Sequence, residues 1–156
     1  MPAEKLTEYF ESHDVQYKLI EHEPVYTAQE TAASARISGK ELAKTVMVKV
    51  DGKLAMAVLP ASQRVNFSAF KDATGASEVL LASEREFKDA FPDCELGAMP
   101  PFGNLYGMQV YVDESLSEEM VVAFCAGTHS ELVQISFQDF ERLAQPVIIK
   151  FSWQPE

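Results

Sequence analysis

Apolar and polar positions follow two different periods along this chain, and each change of period marks an element. In residues 3–13, Leu6, Tyr9 and Phe10 recur at helical spacing, which predicts an amphipathic helix. Residues 17–20 form a short strand candidate. Thr27-Ala28-Gln29-Glu30 reads as a capping box, in which Thr27 caps a helix and Glu30 reaches back to it. The alanine-rich run 31–35 fits the helix that follows. A second box at 38–41 opens one more turn, ending just before Lys44.

Residues 45–50 are apolar and β-branched, and 54–59 repeat that character up to Pro60. Asp51-Gly52 between them predicts a tight hairpin, because both central residues of a type I′ turn need positive φ. A helix is expected over 66–74 with Gly75 at its C-terminal cap, then a strand at 79–82. Ser83-Glu84-Arg85-Glu86 is a third capping box and starts a helix to about residue 90. Strands follow at 108–112, 120–125 and 132–135. A helix over 136–143 carries Phe137, Phe140 and Leu143 along one side, and 147–151 reads as an edge strand. The stretch 92–107 has no period and holds three prolines and three glycines; a loop of that length is often functional. Helices interleaved with hairpins predict a mixed α+β fold rather than a doubly wound one. The expected architecture is one domain spanning 1–156, with a central mixed, largely antiparallel sheet flanked by helices.

Length and composition agree with this reading. At 156 residues with 47% hydrophobic residues, the chain can bury a core without a staple. No run of about 18 apolar residues is present, so no membrane span is expected. Residues 1–5 show no apolar signal core, which makes the cytoplasm the default location. Cys94 and Cys125 are not a Cys-x-x-Cys pair, and His13, His22 and His129 show no metal-ligand spacing. No metal and no cofactor are expected. The elbow sequence of serine hydrolases and the glycine-rich phosphate loop are both missing.

Charge complicates the picture. A net charge of −11 repels polyanions at long range. Yet residues 36–71 hold seven basic residues against two acids, a local +5, so the remainder carries −16. Such a face suits a small footprint on a nucleic-acid end and not the wrapping of a duplex; no DNA partner is expected. Arg36, Lys40, Lys49 and Arg64 are its candidate phosphate contacts. The alternative is that these side chains are ordinary solvated faces.

Three features could carry chemistry. Lys44 opens the apolar run Thr45-Val46-Met47-Val48. Its ammonium could hold a phosphate or an oxygen gaining negative charge, or it could simply snorkel to water. Gly127-Thr128-His129 forms a turn between two predicted strands, placing an imidazole at a sheet rim. Glycine permits positive φ and a free amide that donates to a reacting carbonyl; histidine can orient a hydroxyl or water near neutral pH. The loop Pro100-Pro101-Phe102-Gly103 is stiffened by its prolines and could size a small side chain by exclusion. Met47 and Phe102 could narrow the cavity or belong to the core.

Lysine, stiff loop and histidine-bearing turn, in that order and spacing, resemble the YbaK and prolyl-tRNA synthetase editing-domain family over roughly residues 5–145. The resemblance implies a free-standing aminoacyl-tRNA deacylase acting in trans on a small amino acid, with tRNA-Pro the expected carrier. It implies that Lys44, Gly127 and His129 serve catalysis, while Met47, Pro100, Pro101, Phe102, Gly103 and Thr128 line the substrate site. The implied partners are the aminoacyl-tRNA 3′ end and an aminoacyl-tRNA synthetase. Two competing readings are a non-catalytic aminoacyl-tRNA or small-ligand module associated with a synthetase, and a hydrolase of another small ester or thioester. A basic ring around the pocket would favour tRNA, and an acidic ring would weaken it.

Overall fold

A computed structural model of the chain describes residues 4–21, 40–92, 94–95 and 98–153. The expected helix at 27–35, the first two residues of the box at 38–41, His22 and Arg36 lie outside the described residues. Helix α1 spans Glu4–Ser12, and strand β1 spans Lys18–Glu21. Strands β2 (Ala43–Val50) and β3 (Lys53–Pro60) form the expected hairpin. Asp51 and Gly52 both have positive φ, 49° and 85°, as a type I′ turn requires. A short β4 (Arg64–Val65) leads to α2 (Phe67–Thr74), which the Asn66 carboxamide caps by accepting the Ala69 N–H at 3.0 Å. Next come β5 (Val79–Leu81) and α3 (Glu84–Phe87), which continues as a 3₁₀ turn. After a 3₁₀ turn at Gly103–Tyr106 the chain adds β6 (Gln109–Asp113), β7 (Val121–Cys125) and β8 (Glu131–Ser136). Helix α4 (Phe137–Ala144), β9 (Val147–Ile149) and β10 (Ser152–Trp153) complete the described order.

The fold is mixed α+β, but the strands are shared among three sheets. The largest has the order β5-β2-β3-β6-β9. In it β2 pairs antiparallel with β3 and β5, while β3–β6 and β6–β9 are parallel. This sheet is therefore evenly mixed; the antiparallel majority arises only when β1-β8-β7 and β10-β4 are included. The sequence expectation had no β4 or β10, since two-residue strands carry no period to read.

Side-chain alternation divides the core into layers. On one face of the large sheet, Met47, Met56, Val58, Val110 and Val112 pack against α1, α4 and the inner side of β7–β8. On the opposite face, Val48, Ala55, Ala57 and Leu59 pack against Phe70 of α2 and Phe151. A third small cluster, Leu42, Ala61, Ala123 and Leu132, fills the seam between the large sheet and the three-stranded one. There the Ala61 N–H donates to the Leu42 carbonyl at 2.8 Å, and the Ala123 N–H donates to that of Glu41 at 3.0 Å. A parallel bridge joins Leu42 to Ala123. The residues just before β2 thus tie two sheets together, and that seam positions the candidate site.

Candidate functional site

Lys44 is the second residue of β2, half-buried and paired with Leu59. By alternation its side chain leaves the sheet on the face that carries Val46, Val48 and Leu59. Burial lowers the Lys44 pKa from its ordinary value, and the positive charge of Arg64 lowers it further. Both effects disfavour the ammonium and favour an anionic partner for it.

Two residues beyond Cys125, Gly127 adopts φ of +105°, which an L side chain rarely adopts. Its N–H donates to the Ala98 carbonyl at 2.8 Å, and its carbonyl accepts from the Glu95 N–H at 2.6 Å. The expectation of a free Gly127 amide is therefore corrected. A backbone amide has one proton, and here that proton serves to fasten the turn to the 95–98 segment. The Glu95 carboxylate adds a further tie, accepting the His129 N–H at 2.7 Å. Thr128 Oγ1 donates to Glu131 Oε1 at 3.1 Å. Thr128 and His129 are both half-buried at this turn.

Glu95 and Glu131 were not among the sequence candidates. Glu131 is only 6% exposed, an uncommon state for a carboxylate. Its three-residue spacing from Thr128 was a readable signal. Glu95 offered none, because its partner lies 34 positions away in the chain.

Of the loop residues, Pro100 and Pro101 are buried, two and three positions beyond the Ala98 carbonyl that holds the turn. Phe102 is not a cavity wall. It is fully buried, and its ring meets those of Tyr9, Phe10, Phe124 and Phe140 with centroids 5.5–6.3 Å away. Met47 belongs to the same cluster, on the sheet face opposite Lys44. Both are core residues because alternation and packing direct them inward. Gly103 also has a packing role: a Cβ there would stand 2.8 Å from the Met108 carbonyl oxygen and 2.9 Å from a Val110 methyl.

The proposed basic ring is only partly assembled. Arg64 is exposed and near enough to Lys44 for its charge to be felt. Lys40 is exposed at the turn before β2. Lys49 lies on the other face of β2 and forms a 2.7 Å ion pair with Glu86. That pairing raises the Lys49 pKa and holds Glu86 down to about 2. Lys49 is thus withdrawn from the ring, and acids (Glu95 and Glu131) occupy the side of the turn.

Cys125, although close by, is poorly suited to attack. Burial, assisted by the negative charge of Glu95, pushes its thiol up to about 11. Among the described residues no group of three or more His, Cys, Asp or Glu could hold a metal ion, and no helix is long and apolar enough to cross a membrane.

The described residues form a mixed α+β domain with a half-buried lysine beside the seam of two sheets and a hydrogen-bonded turn after β7. The chain belongs to the aminoacyl-tRNA editing domain family, whose model matches residues 22–143. It is 30% identical over 143 residues to the multifunctional Ser/Thr-tRNA deacylase ProXp-y of Escherichia coli (strain K12), covering 86% of this chain and 83% of that one. It is also 30% identical over 103 residues to the proline-tRNA ligase of Bacillus mycoides (strain KBAB4), covering 66% of this chain but only 18% of the ligase. The crystal structure of a hypothetical protein superposes with a TM-score of 0.84 at 24% identity, covering 96% of this chain and 100% of the other. A solved structure provisionally described as a trans-editing enzyme for prolyl tRNA synthetase superposes at 0.81 with 17% identity, covering 97% and 96%.

Proposed function

We propose that this protein is an aminoacyl-tRNA deacylase that works in trans, hydrolysing the ester between a small, mischarged amino acid and the tRNA 3′ end. The observation that carries this reading is the placement of Lys44. It is a half-buried cation at the start of β2, two residues beyond the Leu42 bridge to Ala123 of β7, the strand that runs into the Gly127–His129 turn. The seam between the two sheets is thus the proposed cavity, with Pro100, Pro101 and Thr128 in its wall. This arrangement is read within an editing-domain family that includes a Ser/Thr-tRNA deacylase.

Water is the nucleophile. As it attacks the ester carbonyl, the oxygen gains negative charge, and the Lys44 ammonium neutralises it; one such donor is worth about 2.7–4 kcal/mol. His129, held through its backbone N–H by Glu95, orients the water or a ribose hydroxyl that assists it. The Gly127 amide takes no part in stabilising the oxygen, since it is bonded to Ala98. A ribose oxygen leaves with a proton, and the free amino acid departs. Protein thiolate chemistry is disfavoured by the raised Cys125 pKa.

The expected substrate is tRNA-Pro carrying alanine, serine, threonine or cysteine, met in the cytoplasm and handed over by the synthetase that mischarged it. The test is a deacylation panel on those four charged tRNAs with prolyl-tRNA-Pro as control. Release of one or more small amino acids with the control left intact supports the reading. Binding without release from any member would establish the non-catalytic module instead.

A further inference from the structure

Trp153 is the chain's only tryptophan, and it is 45% exposed. An indole held in solvent forgoes a large burial gain, so its fixed position needs explaining. Fixed it is: the carboxylate of Asp113, itself 2% exposed, accepts the N–H groups of Phe151 and Ser152 at 2.8 Å each. The Ser152 hydroxyl donates to the Gln63 side-chain carbonyl. The β10–β4 pairing then sets Trp153 directly across from Arg64. Antiparallel partners project to the same side of a sheet, so the indole and guanidinium leave the ribbon on one side.

Arg64 in turn lies within electrostatic reach of Lys44. The strand β3 ends at Pro60, which pairs with Ala43, and a turn closed by Gln63 N–H to the Pro60 carbonyl (3.0 Å) carries the chain into β4. The charge of Arg64 is felt at the Lys44 ammonium, which it helps to lower in pKa. Arg64 is thus linked to Lys44 by its charge and to Trp153 by strand register, and Lys44 lies on the Leu59 face of the large sheet.

We propose that Trp153 and Arg64 form the platform that receives the terminal nucleobase of the acceptor strand, the indole stacking on the base and the guanidinium meeting the adjoining phosphate. This inference rests on the deacylase reading and deepens it. Single-stranded nucleic-acid ends are held in this manner, by aromatic faces plus cations that track the backbone. The charge complements the ligand on one side only. Trp153 also borders a groove of about 310 Å³ in which Asp113, Glu114 and Glu118 face a single cation, Lys150, so acids outnumber cations there and phosphate is disfavoured. The strand must therefore approach along the Arg64 side.

Because Trp153 is the sole tryptophan, its fluorescence reports the platform without reference to catalysis. The experiment titrates the full chain with the trinucleotide CCA, and separately measures deacylation kinetics for Trp153→Ala and Trp153→Phe on the best substrate of the panel. Saturable quenching by CCA is expected, weakened in Arg64→Ala. Trp153→Ala should raise KM by roughly 5- to 150-fold, the range for loss of one stacked base, with a much smaller change in kcat, and Trp153→Phe should recover most of it. Absence of saturable quenching, or an unchanged KM in a folded Trp153→Ala protein, would overturn the platform. Quenching by CCA in a protein that hydrolyses nothing supports the platform and removes the deacylase reading, so the two fail separately.

Discussion

At the scale of single residues, the proposed chemistry rests on two side chains. Lys44 should be indispensable: Lys44→Ala is expected to lower kcat on a mischarged tRNA by roughly 10²- to 10³-fold, the loss of one donor to a developing oxyanion, with the circular dichroism spectrum unchanged. Its pKa lies below the ordinary 10.5, so the charged form is lost earlier as pH rises. The alkaline limb of the rate should therefore begin below the usual lysine range. Arg64→Ala removes a like charge and should move that limb upward, which a pH–rate profile of kcat reads directly. Wild-type activity in Lys44→Ala would take the lysine out of the mechanism. Glu95 is the second. It touches the His129 backbone and not the reacting atoms, so it is a positioning residue. Glu95→Ala should reduce kcat roughly tenfold, in line with about 1.5 kcal/mol for a hydrogen bond to a charged group. Glu95→Gln keeps an acceptor oxygen and should recover most of the loss. Equal rates for the alanine and glutamine variants would show that the turn stands without this bond.

At the scale of elements, the 98–103 loop has two jobs that its composition does not separate. Its first part meets the turn, through the Ala98 carbonyl. Its second part, Phe102, enters the core among four aromatic rings. Phe102→Ala should therefore be chiefly a stability mutation, costing about 3–5 kcal/mol in denaturant unfolding. Had the ring lined the cavity instead, the same change would widen substrate choice at little cost in stability, and that pattern would restore the pocket-wall role. Helix and hairpin positions, by contrast, were legible because their signals are local. The Gly75 cap, the Ser83 capping box and the Asp51-Gly52 turn all lie where the sequence places them.

At the scale of the whole molecule, Asp113 links β6 to the β10 ribbon. Its burial raises the pKa, but hydrogen bonds from Ser115, Phe151 and Ser152 outweigh this and lower it overall. A carboxyl with a depressed folded pKa adds stability that is present above its unfolded value and is lost as pH falls through the folded one. Acid destabilisation is thus expected below about 3.8, the ordinary aspartate value. Thermal unfolding followed from pH 6 to pH 2 should show it, and Asp113→Asn should start less stable and flatten the acid slope. Parallel slopes in the two proteins would assign the acid sensitivity elsewhere.

What the sequence determined by itself is what depends on near neighbours: the periods of helices and strands, the caps, the hairpin turn, the order lysine, loop, histidine. It also marked Lys44, whose place at the start of a buried strand follows from a charged residue abutting an apolar run. Tertiary structure decided the rest. Which face of β2 each residue occupies relative to the second sheet, and so the separation of Lys44 from Met47 and Lys49, needed the packing of both layers. The fate of the Gly127 amide needed the Ala98 carbonyl, and the place of Trp153 beside Arg64 needed a two-residue pairing between distant segments. Hydrogen bonds and side-chain contacts across long loops leave no periodic trace in a chain, because any of many residues can supply the partner and only the folded backbone brings one of them within reach.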